Sequence, residues 1–208
     1  MKIYDISKTL DSDTAIYPGN PEFNIQKVEI LKKDGYNLSK ISMGTHFGTH
    51  VDAPLHFIEG GEDVSSISLY KLIGECEVLD FQSVRECIKR EDIEKFRIET
   101  KILVLKTKNS NTPENIFDEN FIYLSHDFIE YIVKIGIHLI CTDGPSVKQK
   151  GAKDFQHKLL FKNGINIIEG VDLKNIKEGK YFFIALPLKI KGADGSPIRV
   201  ILIEDYKK

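Results

Sequence analysis

Three of the six histidines fall between residues 46 and 56, in the stretch GTHFGTHVDAPLH that runs from Gly44 to His56, with Asp52 among them. Neutral imidazole and carboxylate are the donors that suit a borderline divalent ion such as zinc or manganese. Gathered in a core without compensation they would be costly, and a bound cation removes that cost. Two rival readings meet the same residues. A helical zinc protease motif requires His-Glu-x-x-His on a helix, whereas Phe47, Gly48 and Thr49 supply no general-base glutamate and little helix propensity. A set of ordinary, separately hydrogen-bonded histidines would leave these groups mostly with one another as partners. A metal site is the reading these residues favour over that one.

The backbone that positions them is expected to be extended. From Tyr36 to Asp52, β-branched and aromatic residues alternate with small ones, so the cluster is expected on a strand and its exit loop. His46, His50 and Asp52 share parity and would share one strand face. Pro54 breaks regular pairing, which puts His56 beyond the strand, at the rim of the site.

Around this stretch, strand-like alternation at Lys2 to Ser7 and Phe23 to Leu31, separated by the turn-forming run from Tyr17 to Pro21, suggests a β meander. Further strands are expected at Glu77 to Phe81, Lys101 to Thr107, Ile137 to Cys141 and Ile165 to Ile168. Helices are expected at Arg90 to Phe96, from the N-cap Ser125 through Lys134 up to Gly136, and at Phe155 to Phe161. Tyr181 to Ile190 and Pro197 to Ile203 form a C-terminal hairpin across the turn from Ala193 to Ser196. No linker or repeat divides residues 1–208, so the expectation is one mixed α/β domain with β structure dominant. Strand order is not legible at this level.

Composition narrows the function classes. Lys plus Arg (29) nearly balances Asp plus Glu (31) with no basic block, which argues against a nucleic-acid partner. The 3 cysteines, Cys76, Cys87 and Cys141, show no CxxC spacing and suggest neither a disulfide framework nor a thiolate zinc site. Met1 to Asp11 has no long apolar region, and no later segment approaches the ~20 apolar residues of a membrane span. A cytoplasmic protein without membrane insertion is the expectation.

The stretch HFGTHVDAPLHF resembles the signature of the cyclase family of metal-dependent hydrolases, to which kynurenine formamidases and isatin hydrolase belong. The opening Ile3 to Ser7 with Tyr17, Pro18 and Gly19, and the segment Leu188 to Val200 with its ADGSP run, resemble the N-terminal and C-terminal parts of that family. The resemblance implies a swivelling β/β/α fold and a site holding one or two divalent ions, zinc or manganese. It implies His46, His50 and Asp52 as ligands of the first ion. Asp52, His157 and Glu169 serve the second, with Glu169 bridging, and His56 is the proton donor and acceptor. The implied reaction is hydrolysis of an amide-like carbon–nitrogen bond by metal-activated water, with N-formyl-L-kynurenine as the best named substrate. It also implies a homo-oligomer, a dimer or tetramer, for which the apolar C-terminal hairpin could supply a surface.

Two departures bear on the substrate. Tyr17 stands where formylkynurenine-hydrolysing members usually carry tryptophan, which keeps a stacking face of smaller area. Lys148 and Gln149 follow the segment Thr142 to Val147 in place of Asp-Pro. Other amides, lactams or esters stay open as substrates, as do a cyclase or dehydratase and a metal-stabilised binding protein without turnover. Of the other histidines, His126 is expected to be a solvated first-turn residue and His138 a structural one.

Overall fold

A three-residue strand gripped on both edges closes the main sheet of this protein, whose computed structural model describes residues 1–153 and 155–206. The chain opens with β1 (Lys2–Asp5), then a ribbon of β2 (Asn24–Glu29) and β3 (Leu38–Ser42) separated by the short helix α1 (Leu31–Asp34). Next come β4 (His50–Asp52), β5 (Ile73–Asp80), β6 (Cys87–Ile88), α2 (Arg90–Ile93), β7 (Ile102–Lys106) and β8 (Tyr123–Leu124). Helix α3 (His126–Lys134), β9 (Leu139–Thr142), α4 (Gln156–Lys162) and β10 (Asn166–Glu169) follow. The hairpin β11 (Gly179–Pro187) and β12 (Gly195–Glu204) ends the fold.

The sheet runs β1-β12-β11-β5-β7-β9-β10-β4, and β4 returns to pair with β12. The strands from β12 round to β4 thus form a closed seven-stranded barrel to which β1 is added. Strand β12 can serve both because of its length: Gly195 to Pro197 pair with β4, while Ile201 to Glu204 pair with β1 further along. Its other edge takes β11 over Ile198 to Ile203. Closure leaves few unpaired backbone groups, the ordinary liability of an edge strand.

Strands β5, β7, β9 and β10 pair in parallel, and parallel strands are typically covered on both faces. Alternation along them sorts the side chains. Ile102, Val104, Leu139, Cys141 and Ile168 point into the barrel core with Phe183, Val200 and Leu202. Leu103, Leu105, Ile140 and Ile167 point outward, against Phe128, Ile129 and Ile132 of α3 and Leu160 and Phe161 of α4. Helix α3 begins where expected, with Ser125 Oγ accepting from the Phe128 N–H at 3.3 Å, and Gly136 at φ 75° follows its end.

The mixed α/β class holds. The N-terminal meander does not: β1 pairs with β12, nearly the full chain length away, and among the described residues β2 pairs with β3 alone. The alternation in β1 and β2 marked strands correctly, but partner choice is a long-range matter. The C-terminal hairpin forms, with Tyr181, Phe183, Ala185, Val200 and Leu202 taken up by the barrel core and Leu186, Leu188 and Ile190 left exposed.

Phe183 is fully buried, so Phe183→Ala is expected to lower unfolding free energy by about 3–5 kcal/mol in urea denaturation. Ile25→Ala on the exposed ribbon is expected to change it by no more than about 0.5 kcal/mol in the monomer.

Candidate metal centre

The site forms on the outer face of the barrel, in the seam between β4, β10 and α4. Register explains why. Glu169 lies opposite His50, and Asp52 opposite Ile167, so all four side chains share a face. Val51 and Ile168, one residue out of phase, belong to the barrel core. Helix α4 covers this outer face and carries His157, with Leu160 and Phe161 of the same helix packed into the apolar layer.

His46 arrives differently from the sequence expectation. Strand β3 ends at Ser42 and β4 begins only at His50, so His46 lies in a turn and strand parity does not carry its side chain to the face of Asp52. Gly48 takes φ +62°, a left-handed conformation that glycine adopts without strain, and its carbonyl accepts from His50 Nδ1 at 3.1 Å. The turn folds His46 back so that its Nδ1 is 2.8 Å from Asp52 Oδ1. On its far side the ring lies against Gly195, where a Cβ would sit 2.7 Å from His46 Cε1. A side chain there would displace the imidazole.

Asp52, 1% exposed, offers its oxygens in two directions. Oδ1 is 3.3 Å from His50 Nε2 as well as 2.8 Å from His46, whereas Oδ2 is 3.5 Å from His157 Nε2. Glu169 does the same, with Oε2 at 3.6 Å from His50 Nε2 and Oε1 at 3.2 Å from His157 Nε2. The Val147 N–H donates to Glu169 Oε1 at 2.7 Å and fixes the carboxylate. Phe57 stacks on the His157 ring at 4.4 Å. His56, in the short 3-10 turn after Pro54, stacks on His46 at 3.8 Å between centroids and stays 29% exposed.

The five side chains expected as ligands, and His56 beside them, therefore converge. Ligand atoms of His46, Asp52 and His56 lie within 4.8 Å of one another, and so do those of His50, Asp52 and Glu169. The donor set fits divalent ions: two buried carboxylates have only imidazoles as cationic partners, with no Lys or Arg ion pair to either among the described residues. Asp194 is the residue that sequence reasoning passed over. Its place in a Gly-containing turn marked it as hairpin chemistry, yet its Oδ2 is 3.0 Å from His46 Nε2 and 3.2 Å from His56 Nδ1. His126 is solvent-exposed as expected, and His138 lies away from the cluster.

Electrostatics follow the geometry. Burial opposes charge on His46, but Asp52 and Asp194 outweigh it and raise the imidazole to about 9. Burial would raise the Asp52 carboxyl, yet hydrogen bonds and charge from His46 and His50 hold it well below the usual carboxylate range. His56 is lowered, chiefly by burial.

Above the cluster is a cavity of about 210 Å³ lined by Tyr17, His56, Phe57, Lys148, His157 and Glu169. Tyr17, His46 and His50 also line an adjoining recess of about 60 Å³ walled by Phe117 and Phe121. The Tyr17 and Phe117 rings meet edge to face at 5.1 Å.

The family model described as putative cyclase matches residues 4–149. The chain belongs to the cyclase family. Among its cyclase-family relatives, a kynurenine formamidase of Bacillus thuringiensis subsp. konkukian is 35% identical over 200 residues, covering 95% of each chain. The structure of a predicted metal-dependent hydrolase from Bacillus stearothermophilus superposes with a TM-score of 0.85 at 34% identity, covering 97% of each chain. Isatin hydrolase A from Labrenzia aggregata, at 24% identity, shares the fold with a TM-score of 0.83 over 97% of this chain and 93% of its own. Among the described residues no helix is long and apolar enough to cross a membrane.

A histidine with pKa 6.5 when unfolded and about 9 when folded adds stability that is complete below 6.5 and lost as pH rises through 9. Chelator-treated protein is therefore expected to lose urea stability between about pH 6.5 and 9. In His46→Gln that part of the pH dependence should be absent.

Proposed function

We propose that this cyclase-family protein hydrolyses an amide-like carbon–nitrogen bond with the help of one or two divalent ions, N-formyl-L-kynurenine being the best candidate substrate. The observation that carries this reading is the double-sided disposition of Asp52 and Glu169, each offering one oxygen toward His50 and the other toward His157. His46, His50 and Asp52 would hold a first ion, and Asp52, His157 and Glu169 a second. The donor set of imidazole and carboxylate without thiolate suits zinc and manganese about equally. The identity of the relatives supports the formamide substrate.

Divalent ions in such a site polarise a carbonyl and make water nucleophilic near neutral pH. The chain supplies the remainder. His56, lowered by burial, is neutral at pH 7 and can accept the proton of the attacking water. With Nδ1 turned to Asp194, its Nε2 is the nitrogen available for that proton and for returning it to the leaving amine. Tyr17, with Phe117 behind it, provides an aromatic wall for an aryl group. Phe57 lines the same cavity and Phe121 the adjoining recess.

We assign the protein to the cytoplasm, in keeping with three free cysteines, and to a homo-oligomer. The ribbon β2–β3 supports the latter: Ile25, Leu38 and Ile41 are exposed, and a two-stranded ribbon alone is at best marginally stable in water.

Elemental analysis combined with a formylkynurenine hydrolysis assay, run with zinc and with manganese, tests the reading. Wild-type protein is expected to bind metal and turn over, and chelation should abolish the rate until metal is restored. Asp52→Ala or Glu169→Ala is expected to remove at least one ion and all turnover. His56→Ala should keep its metal and lose a factor of about 100 or more in kcat. Full activity in that variant would end the proton-transfer role; metal without turnover would shift the search to other amides, lactams or esters. Tyr17→Trp is expected to favour formylkynurenine over a non-aromatic formamide, and an unchanged preference would remove Tyr17 from the pocket wall.

A further inference from the structure

Asp194 touches two members of the site at once without being part of either metal-binding group. Its Oδ2 is 3.0 Å from His46 Nε2 and 3.2 Å from His56 Nδ1, two rings stacked 27° from parallel. Its Oδ1 accepts from Thr45 Oγ1 at 2.8 Å. The His46 ring stands between the two carboxylates, with Nδ1 at Asp52 and Nε2 at Asp194. The backbone beneath is equally constrained, since the Ala53 N–H donates to the Asp194 carbonyl at 2.9 Å and Gly195 pairs with Asp52.

Holding the hairpin turn does not require this carboxylate. Asp63 accepts from the Gly192 N–H at 2.6 Å, and the Val64 N–H donates to the Ala193 carbonyl at 2.9 Å, so the turn is already tied to the loop after β4. At 40% exposure the Asp194 side chain has water at hand to satisfy it. It instead faces two imidazole nitrogens that both need a partner to settle their tautomer.

We propose that Asp194 is a positioning residue that orients His46 and His56 together through one oxygen. Receiving the Nε2–H of His46, it leaves Nδ1 directed at Asp52 and the ion site. Receiving the Nδ1–H of His56, it leaves Nε2 directed into the cavity. Carboxylate partners of ligand histidines fix the ring and raise its basicity, and their loss typically weakens metal binding about 10–100-fold. Here the same carboxylate also aligns the proton carrier, so ligand geometry and proton transfer depend on one side chain. This rests on the assignment of His46 as ligand and His56 as proton carrier above.

The test measures zinc affinity by chelator competition, without substrate, in wild type, Asp194→Ala and Asp194→Asn, and then kcat at saturating zinc in each with and without His56→Ala. Asp194→Ala is expected to weaken zinc about 10–100-fold, and Asp194→Asn, which keeps the shape and one acceptor oxygen, to recover part of that loss. Asp194→Ala should lower kcat about 10-fold or more with KM little changed, and should lower it no further once His56 is alanine. Wild-type zinc affinity in both Asp194 variants, or a kcat loss that adds in full to that of His56→Ala, would overturn the proposal. Because the affinity measurement needs no turnover, a wild-type protein that binds zinc but leaves formylkynurenine intact would sink the substrate reading alone, and weaker zinc in Asp194→Ala would still support the positioning role.

Discussion

A carboxylate buried with no lysine or arginine partner among the described residues sets the terms for the rest of this structure. Asp52 is almost inaccessible to solvent, and its partners are the imidazoles of His46, His50 and His157. A buried charge of this kind is tolerated only where hydrogen bonds and opposite charge surround it. Without an ion the protein meets that demand by protonating His46, whose pKa rises to about 9. In the proposed reading the same groups would hold a divalent ion, and proton and metal would then compete for the site.

Barrel closure is what makes such a burial achievable. Three residues of β4 are paired on one edge to β10 and on the other to β12, which removes any freedom of register. One pairing puts Glu169 beside His50; the other puts Gly195 beside Asp52, where the absent side chain admits the His46 ring. The helix layer completes the arrangement, because the apolar side chains that hold α4 to the sheet also bring His157 over the two carboxylates. Stability and chemistry use the same contacts, with Val51 and Ile168 facing the core and their neighbours facing the site.

Specificity and mechanism divide the walls of the cavity. Tyr17, with Phe117 of the adjoining recess behind it, forms an aromatic side, while His56, backed by Asp194, forms a polar side next to His46. The lysine at position 148, which lines the same cavity and donates to the Ala152 carbonyl, adds a cation near the mouth.

Much of the candidate site was legible in residue types and spacing. The run from His46 to His56 announced a metal by residue type, and the family resemblance paired His157 with Glu169 twelve residues on. Helix α3 was readable from Ser125, its apolar spacing and Gly136, because caps and periodicity are local. Residue types and local spacing thus carried the donor chemistry and the elements whose signals lie within a few residues. Tertiary structure alone decided that β1 joins β12 rather than β2, that a left-handed glycine folds His46 back from a turn, and that Asp194 reaches two histidines from a distant hairpin. Those outcomes depend on pairings between residues far apart in the chain, and no local propensity encodes which partner completes a barrel.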